Sequence, residues 1–145
     1  MAERSSFSVS LVTPAGPVFE GEAEMIVVPG AAGEIGVLAR HAPLVATLQA
    51  GSVRIHLPSG EILELATGPG FFQVHSGRAL VLVDDAVDVR EIDPARASDQ
   101  LEAARSELER LERGEAKGDR WRIEQTIKHA ENQLRTAGHL PISGG

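Results

Sequence analysis

The feature that most constrains this chain is a change of hydrophobic period at Asp93. Before it, apolar residues come in short runs separated by glycine and proline. After it, they recur at alternating spacings of four and three. The first pattern belongs to strands, with side chains alternating between two faces, and the second to a helix with one apolar stripe. A chain that switches once between the two is α+β, with strands and helices in separate blocks.

In residues 1–92, eight runs read as strands: FSVSLV (Phe7–Val12), AEMIVV (Ala23–Val28), EIGVL (Glu34–Leu38), SVRIHL (Ser52–Leu57), EILELA (Glu61–Ala66), FFQVH (Phe71–His75), ALVLV (Ala79–Val83) and AVDVREI (Ala86–Ile92). The gaps are too short for crossover helices, which favours an all-β sandwich or barrel. Phe7, Val9 and Leu11 oppose Ser6, Ser8 and Ser10, and Val53 and Ile55 oppose Ser52, Arg54 and His56. Such alternation predicts one greasy and one wet face. LPSGEI and HSGRAL carry the Ser-Gly pairs expected of hairpin turns.

In residues 93–145, Asp93 is placed to cap a helix whose first turn holds Pro94. Ala97, Leu101, Ala104, Leu108 and Leu111 form one stripe, and Ile123, Ile127, Ala130, Leu134 and Ala137 form another. The break at Gly114–Gly118, with Asp119 as a new cap, predicts an antiparallel helical hairpin. Its stripes are short and rich in alanine, so its packing is expected to be modest and conditional on a partner. The terminal GHLPISGG reads as a frayed end.

Composition narrows the function. The chain has a formal net charge of −7 and no cysteine, which argues against broad nucleic-acid binding and excludes disulfides, thiolate metal sites and a cysteine nucleophile. No window approaches the roughly 20 apolar residues that span a bilayer, and the first twenty residues do not read as a signal peptide. The charge is uneven: residues 1–92 carry 11 acids and 5 bases, whereas residues 93–145 carry 10 acids and 9 bases. The second block therefore reads as a solvated helical surface.

Residues 27–51, VVPGAAGEIGVLARHAPLVATLQAG, raise the question of catalysis. Gly30, Gly33 and Gly36 lack the lysine and following helix of a phosphate loop. Glu34 and His41 could meet across a loop as an acid–base pair or metal ligands, but such a site needs a positioning group and usually a further ligand, so surface or turn placement is the stronger reading. The remaining histidines show no metal-binding motif, and there is no nucleophile elbow. Glu61 and Glu64 do not share a strand face, and Asp84 and Asp85 read as the end of a strand. Trp121 reads equally as a partner anchor or as packing at the hairpin end. Arg105, Arg110, Arg113, Arg120 and Lys128 are interspersed with glutamates. They read either as intrahelical pairs or as a docking surface for an acidic partner.

VVPGAAGEIGVLARHAPLVATLQAG, followed after the sheet by EIDPARA and a helical hairpin, resembles the epsilon subunit of the bacterial F-type ATP synthase, counterpart of the mitochondrial delta subunit. The likeness covers nearly all of residues 4–137. It implies an N-terminal ten-stranded β-sandwich (residues 1–92) docked on the gamma subunit and the membrane rotor c-ring. The C-terminal antiparallel hairpin (residues 93–145) would lie folded or extend along gamma to the alpha/beta catalytic head. The implied role is a non-catalytic central-stalk rotor part at the cytoplasmic face of the bacterial inner membrane. There it would couple proton passage to ATP synthesis, with the hairpin restraining ATP hydrolysis.

By the same resemblance, Glu34 and His41 match loops facing the rotor ring. Arg40 joins them where the family has glycine, Ala39-Arg40 replacing the usual proline-glycine. Ile92, Asp93, Arg96 and Ala97 match an IDxxRA element that begins a regulatory ATP site in some members, and Arg122 could approach the phosphates from the second helix. The family pattern expects arginine where this chain has Ala103; Arg105 is two residues out of register. Capping by Asp93 and surface pairing by Arg96 are the competing reading. No required cofactor or metal is implied. An isolated small-ligand enzyme and a passive β-domain adaptor are the rival functions.

Overall fold

The computed structural model describes residues 5–138, in two compact units that divide between Asp88 and Val89. Residues 139–145, and with them most of the segment expected to fray, lie outside the described residues.

The first unit has ten strands: β1 (Phe7–Thr13), β2 (Gly16–Ala23), β3 (Met25–Gly30), β4 (Gly33–Leu38), β5 (Leu44–Leu48), β6 (Gly51–His56), β7 (Ile62–Thr67), β8 (Gly70–His75), β9 (Arg78–Val83) and β10 (Ala86–Asp88). They hydrogen-bond in the order β10-β7-β6-β3-β5-β8-β9-β1-β2, with β4 on β3. All pairs are antiparallel except β1 with β9. β3 is the corner of this arrangement. Met25–Val27 pair with β6, while Gly30 at the other end pairs with Leu48 of β5.

One apolar core draws on both sides of that corner. Phe7, Val9 and Leu11 of β1 pack in the same cluster as Ile26 and Val28 of β3, Val53 and Ile55 of β6, and Phe72 and Val74 of β8. The sheet thus closes over itself as a sandwich. The alternation read from β1 and β6 is the alternation observed, with Val9, Leu11, Val53 and Ile55 buried. Each such side chain contributes about 1.5–3 kcal/mol of burial free energy.

Two strands escaped the reading of the residues alone. β2, GPVFEGEA, ends the sheet order and pairs only with β1. It buries only Ala23 fully, so no alternation marks it. β5, LVATL, is short and has only alanine and leucine to turn inward. The last run also ends early. β10 stops at the pair Asp88↔Leu65, and Val89–Glu91 tighten into a 3-10 turn in place of further strand, a common use of such turns as connectors.

The second unit holds α1 (Pro94–Glu112) and α2 (Arg120–Thr136). Asp93 caps α1 by accepting from the amides of Ala95 and Arg96, and Asp119 caps α2 through Trp121 and Arg122. Each cap is worth about 1 kcal/mol. α1 ends at Gly114, held left-handed at φ 73°. Its amide donates to the Leu111 carbonyl and that of Glu115 to Arg110, the paired bonds of a Schellman ending. Ala97, Leu101, Ala130 and Leu134 form the hairpin core with Ile127 against them. Arg105–Glu131 at 3.3 Å and Arg120–Glu112 at 2.9 Å tie the helices side by side and antiparallel.

Candidate functional site

The glycine-rich stretch 27–51 folds as sheet. Val27–Gly30 lie in β3, Gly33–Leu38 form β4, and Gly30 and Gly33 are register partners flanking Ala31 and Ala32. The Ala31 amide donates to the Thr47 carbonyl and the Gln49 amide to Pro29, fastening this tip to the end of β5. These backbone amides are committed within the sheet rather than arranged around an anion.

Glu34 and His41 are not brought together. Glu34 stands near the start of β4, opposite Pro29, and His41 follows the end of that strand. From Glu34 to Leu38 alone is about 13 Å of extended chain. Glu34 instead meets Arg54 of β6 at 2.6 Å, a short charge-assisted hydrogen bond between exposed partners. Nδ1 of His41 lies 2.7 Å from the Ala42 carbonyl oxygen. A carbonyl only accepts, so Nδ1 is the donor in this contact and carries the proton. Among the described residues, no three His, Asp or Glu side chains are grouped to hold a metal.

Arg40 is exposed in the turn between β4 and β5, with φ at 65°. Leu38 beside it is an exposed large hydrophobic. The loop therefore offers a cation, an imidazole and an apolar side chain at the end of β4 away from Glu34.

A second surface was not visible to sequence reasoning. On the outward face of β5, β8, β9 and β1, Phe71 is 57% exposed, Leu82 45% and Val45 70%. Phe71 pairs across strands with Leu82, and Leu82 with the half-buried Val12, giving an apolar row over three adjacent strands. Pro17 continues it on β2 and Thr47 flanks it on β5. Toward the other end, the same face becomes a shallow groove of about 620 Å³ lined by Ser8, Ser10, Glu20, Glu22, His75 and Arg78. The signal was present in FFQVH and ALVLV: Phe71 and Leu82 are apolar where strict alternation would place polar groups.

In the hairpin, Ile92 is half-buried, Arg96 exposed and Ala97 buried in the helix–helix core, while Asp93 uses its carboxylate as a cap. Arg122 lines a shallow groove near the connection with Ala104, Glu107 and Thr126. Arg96 and Ala104 are eight residues apart on α1, about 12 Å along the axis. Arg96 and Arg122 thus stand toward opposite ends of the hairpin and do not converge on one phosphate.

The basic side chains divide. Arg105 pairs with Glu131, Arg113 with Glu115, and Arg120 with both Glu112 and Glu124. The Glu124 and Glu112 carboxylates hold the Arg120 guanidinium above its ordinary pKa. Arg110 and Lys128 make no ion pair among the described residues. Trp121 is 66% exposed. Of its two readings, packing at the hairpin end is therefore not the one adopted.

Residues 6–89 match the family model described as ATP synthase, Delta/Epsilon chain, beta-sandwich domain. The chain is similar to the ATP synthase epsilon chain of Bacillus cytotoxicus, at 39% identity over 129 residues, covering 89% of this chain and 94% of the relative. It is also similar to the sodium ion specific ATP synthase epsilon chain of Propionigenium modestum, at 36% over 107 residues, 74% of this chain and 77% of the relative. Among solved structures it resembles a chain of the Euglena gracilis mitochondrial ATP synthase OSCP/F1/c-ring assembly. The TM-score is 0.65 at 21% identity, covering 96% of this chain and 81% of that one, a likeness of fold.

Proposed function

The chain belongs to the ATP synthase delta/epsilon family, as a non-catalytic stalk subunit of the complex, and from that premise we propose that its sandwich joins the gamma subunit to the membrane rotor ring. The observation that carries this reading is the outward row of Phe71, Leu82 and Val12. A row of large side chains left open on a sheet marks a place where another surface belongs. The gamma subunit is its occupant, with the polar groove at the other end of that face forming the rim of the contact.

The ring-facing residues are Glu34, Arg40 and His41. They lie at the two ends of β4 rather than in one cluster, and a ring of repeated subunits is broad enough to meet both ends. The ring carries the proton flow, and the sandwich transmits its rotation to gamma and so to ATP synthesis. No helix among the described residues is long and apolar enough to cross a membrane. On the stalk reading, attachment is peripheral, through the complex, on the cytoplasmic face of a bacterial inner membrane.

The hairpin restrains hydrolysis by exchanging its own packing for contact with the alpha/beta head. Its small apolar core supports this, because little burial must be given up. Arg110 and Lys128 offer cations that no ion pair occupies among the described residues, whereas Arg105, Arg113 and Arg120 would have to leave glutamates first. Surface pairs of this kind are worth about 0–1 kcal/mol each, so that exchange is small. ATP binding at the Ile92, Asp93, Arg96 and Ala97 end would select one state by its differential affinity; Arg122, toward the other end of the hairpin, would not share that site. The reading as a passive adaptor differs only in denying this exchange.

Tagged full-length chain purified in gentle detergent should bring down gamma, the ring and the catalytic subunits in fixed ratio. Truncation after Asp93 should leave that assembly intact and raise ATP hydrolysis. Unchanged latency in the truncated complex would sink the brake, and loss of gamma from the full-length preparation would sink the stalk reading.

A further inference from the structure

Arg40 adopts φ 65°. The only other non-glycine residue with positive φ among those described is Ser76, which stands in the Ser76-Gly77 turn of the β8–β9 hairpin. There the turn type itself demands left-handed residues. Arg40 is the second residue of the Ala39–Arg40 turn, which also calls for a left-handed residue there, and glycine or asparagine would fill that position at lower steric cost. Strain kept at an exposed residue is a pointer to what its side chain does.

Its electrostatic setting is as distinctive. The chain is acidic overall, yet from Ile35 to Gly60 it contains no aspartate or glutamate. The nearest acid before Arg40 in sequence, Glu34, is at the far end of β4 and already engaged by Arg54. Arg40 makes no ion pair among the described residues. Beside it, His41 donates from Nδ1 to the Ala42 carbonyl, and Leu38 lies open. The turn thus holds an unneutralised planar donor at the rim of an apolar side chain.

We propose that this turn presents the Arg40 guanidinium to a carboxylate on an exposed loop of a membrane-ring subunit, making Arg40 a determinant of ring docking; this rests on the reading that the Arg40–His41 end faces the ring. A guanidinium matches a carboxylate with two parallel N–H donors. A lipid headgroup is the poorer occupant. Anionic membrane surfaces are held by clusters of about four to eight cations, and this is one arginine in a chain of net charge −7.

The test uses the full chain and a detergent-solubilised subcomplex of gamma and ring from the same organism, with Arg40→Gly, Arg40→Asn and Arg40→Lys. Arg40→Gly and Arg40→Asn should weaken binding about tenfold at low salt, and Arg40→Lys should fall between these and the parent, keeping the charge but losing the paired donors. Salt should erase the difference, since the contact is an exposed charge pair. Arg40→Asn should melt at a temperature equal to or a few degrees above the parent, because asparagine tolerates the left-handed turn. Equal binding by parent and Arg40→Gly would overturn the inference while leaving the ring reading in place. Equal affinity of the parent for gamma alone and for the gamma–ring subcomplex would overturn both. Binding of the parent to anionic phospholipid vesicles, lost in Arg40→Gly, would assign the residue to lipid and overturn the proposal.

Discussion

Replacing Phe71 by alanine should separate docking from folding. Phe71 is 57% exposed in the free chain. A phenylalanine offers about 150–250 Å² to bury, so roughly 85–140 Å² remains for a partner to cover. At about 25 cal/mol per Å² that is about 2–3.5 kcal/mol. Alanine would recover part of it, leaving a loss near 2 kcal/mol, or about 30-fold in affinity for gamma. The fold should hardly notice. The substitution removes cross-strand contacts to Leu82 and Thr47, each worth about 0.2–1 kcal/mol, while the buried Phe72 next to it keeps the core filled. Titration calorimetry of the purified chain against gamma, beside denaturant unfolding of the same samples, reads both quantities. Ile62→Ala is the control, since Ile62 is also exposed but lies on β7, far along the strand order from β8. Affinity within about threefold of the parent for a folded Phe71→Ala, or an equal loss from Ile62→Ala, would refute the assignment of this face.

Other outcomes follow from the geometry. Gly70→Ala should destabilise the sandwich by about 3 kcal/mol or more, because a Cβ there would lie 1.8 Å from the Leu82 carbonyl oxygen; chemical denaturation reads the loss, and a stability within about 1 kcal/mol of the parent would contradict the close approach of β8 and β9. Asp119→Ala should cost the hairpin about 1 kcal/mol by leaving the Trp121 and Arg122 amides uncapped. Hydrogen exchange should then accelerate in the first turn of α2 while the strands stay protected. A double-mutant cycle on Glu34 and Arg54 should give a coupling below about 1 kcal/mol, since both partners are exposed; a coupling of several kcal/mol would mean the pair is shielded far more than its surroundings indicate.

The helical part of the fold was nearly complete in the sequence. Ala97, Leu101 and Ala104 of the first stripe, and Ile123, Ala130 and Leu134 of the second, are buried, and the one buried helical residue that the stripes did not mark among those described is Asn132. Asp93, Asp119 and Gly114 mark ends that the structure also uses. Helix signals are local, so a single chain segment contains them. The strands were legible where one face is buried and one is wet, as in β1 and β6. They were lost in β2, which has little inward face to show, and misplaced at the end of β10. The candidate site was less legible still. Spacing allowed Glu34 to meet His41, but partnership across β3 gave Glu34 to Arg54, and nothing in the order of residues predicts which strand will lie beyond the next.

By itself, then, the sequence determined the sites of capping, the helical stripes, the turn residues and the absence of a phosphate loop, because each depends on neighbours within a few positions. Only the tertiary structure decided that Phe71, Leu82 and Val12 form one apolar row, that Glu34 and His41 stand apart, and that Arg96 and Arg122 lie toward opposite ends of the hairpin. Those relations arise from strand order, register and helix pairing. They bring together or separate residues by packing the chain against itself, and the period of a sequence records which side of an element is buried but not what it is buried against.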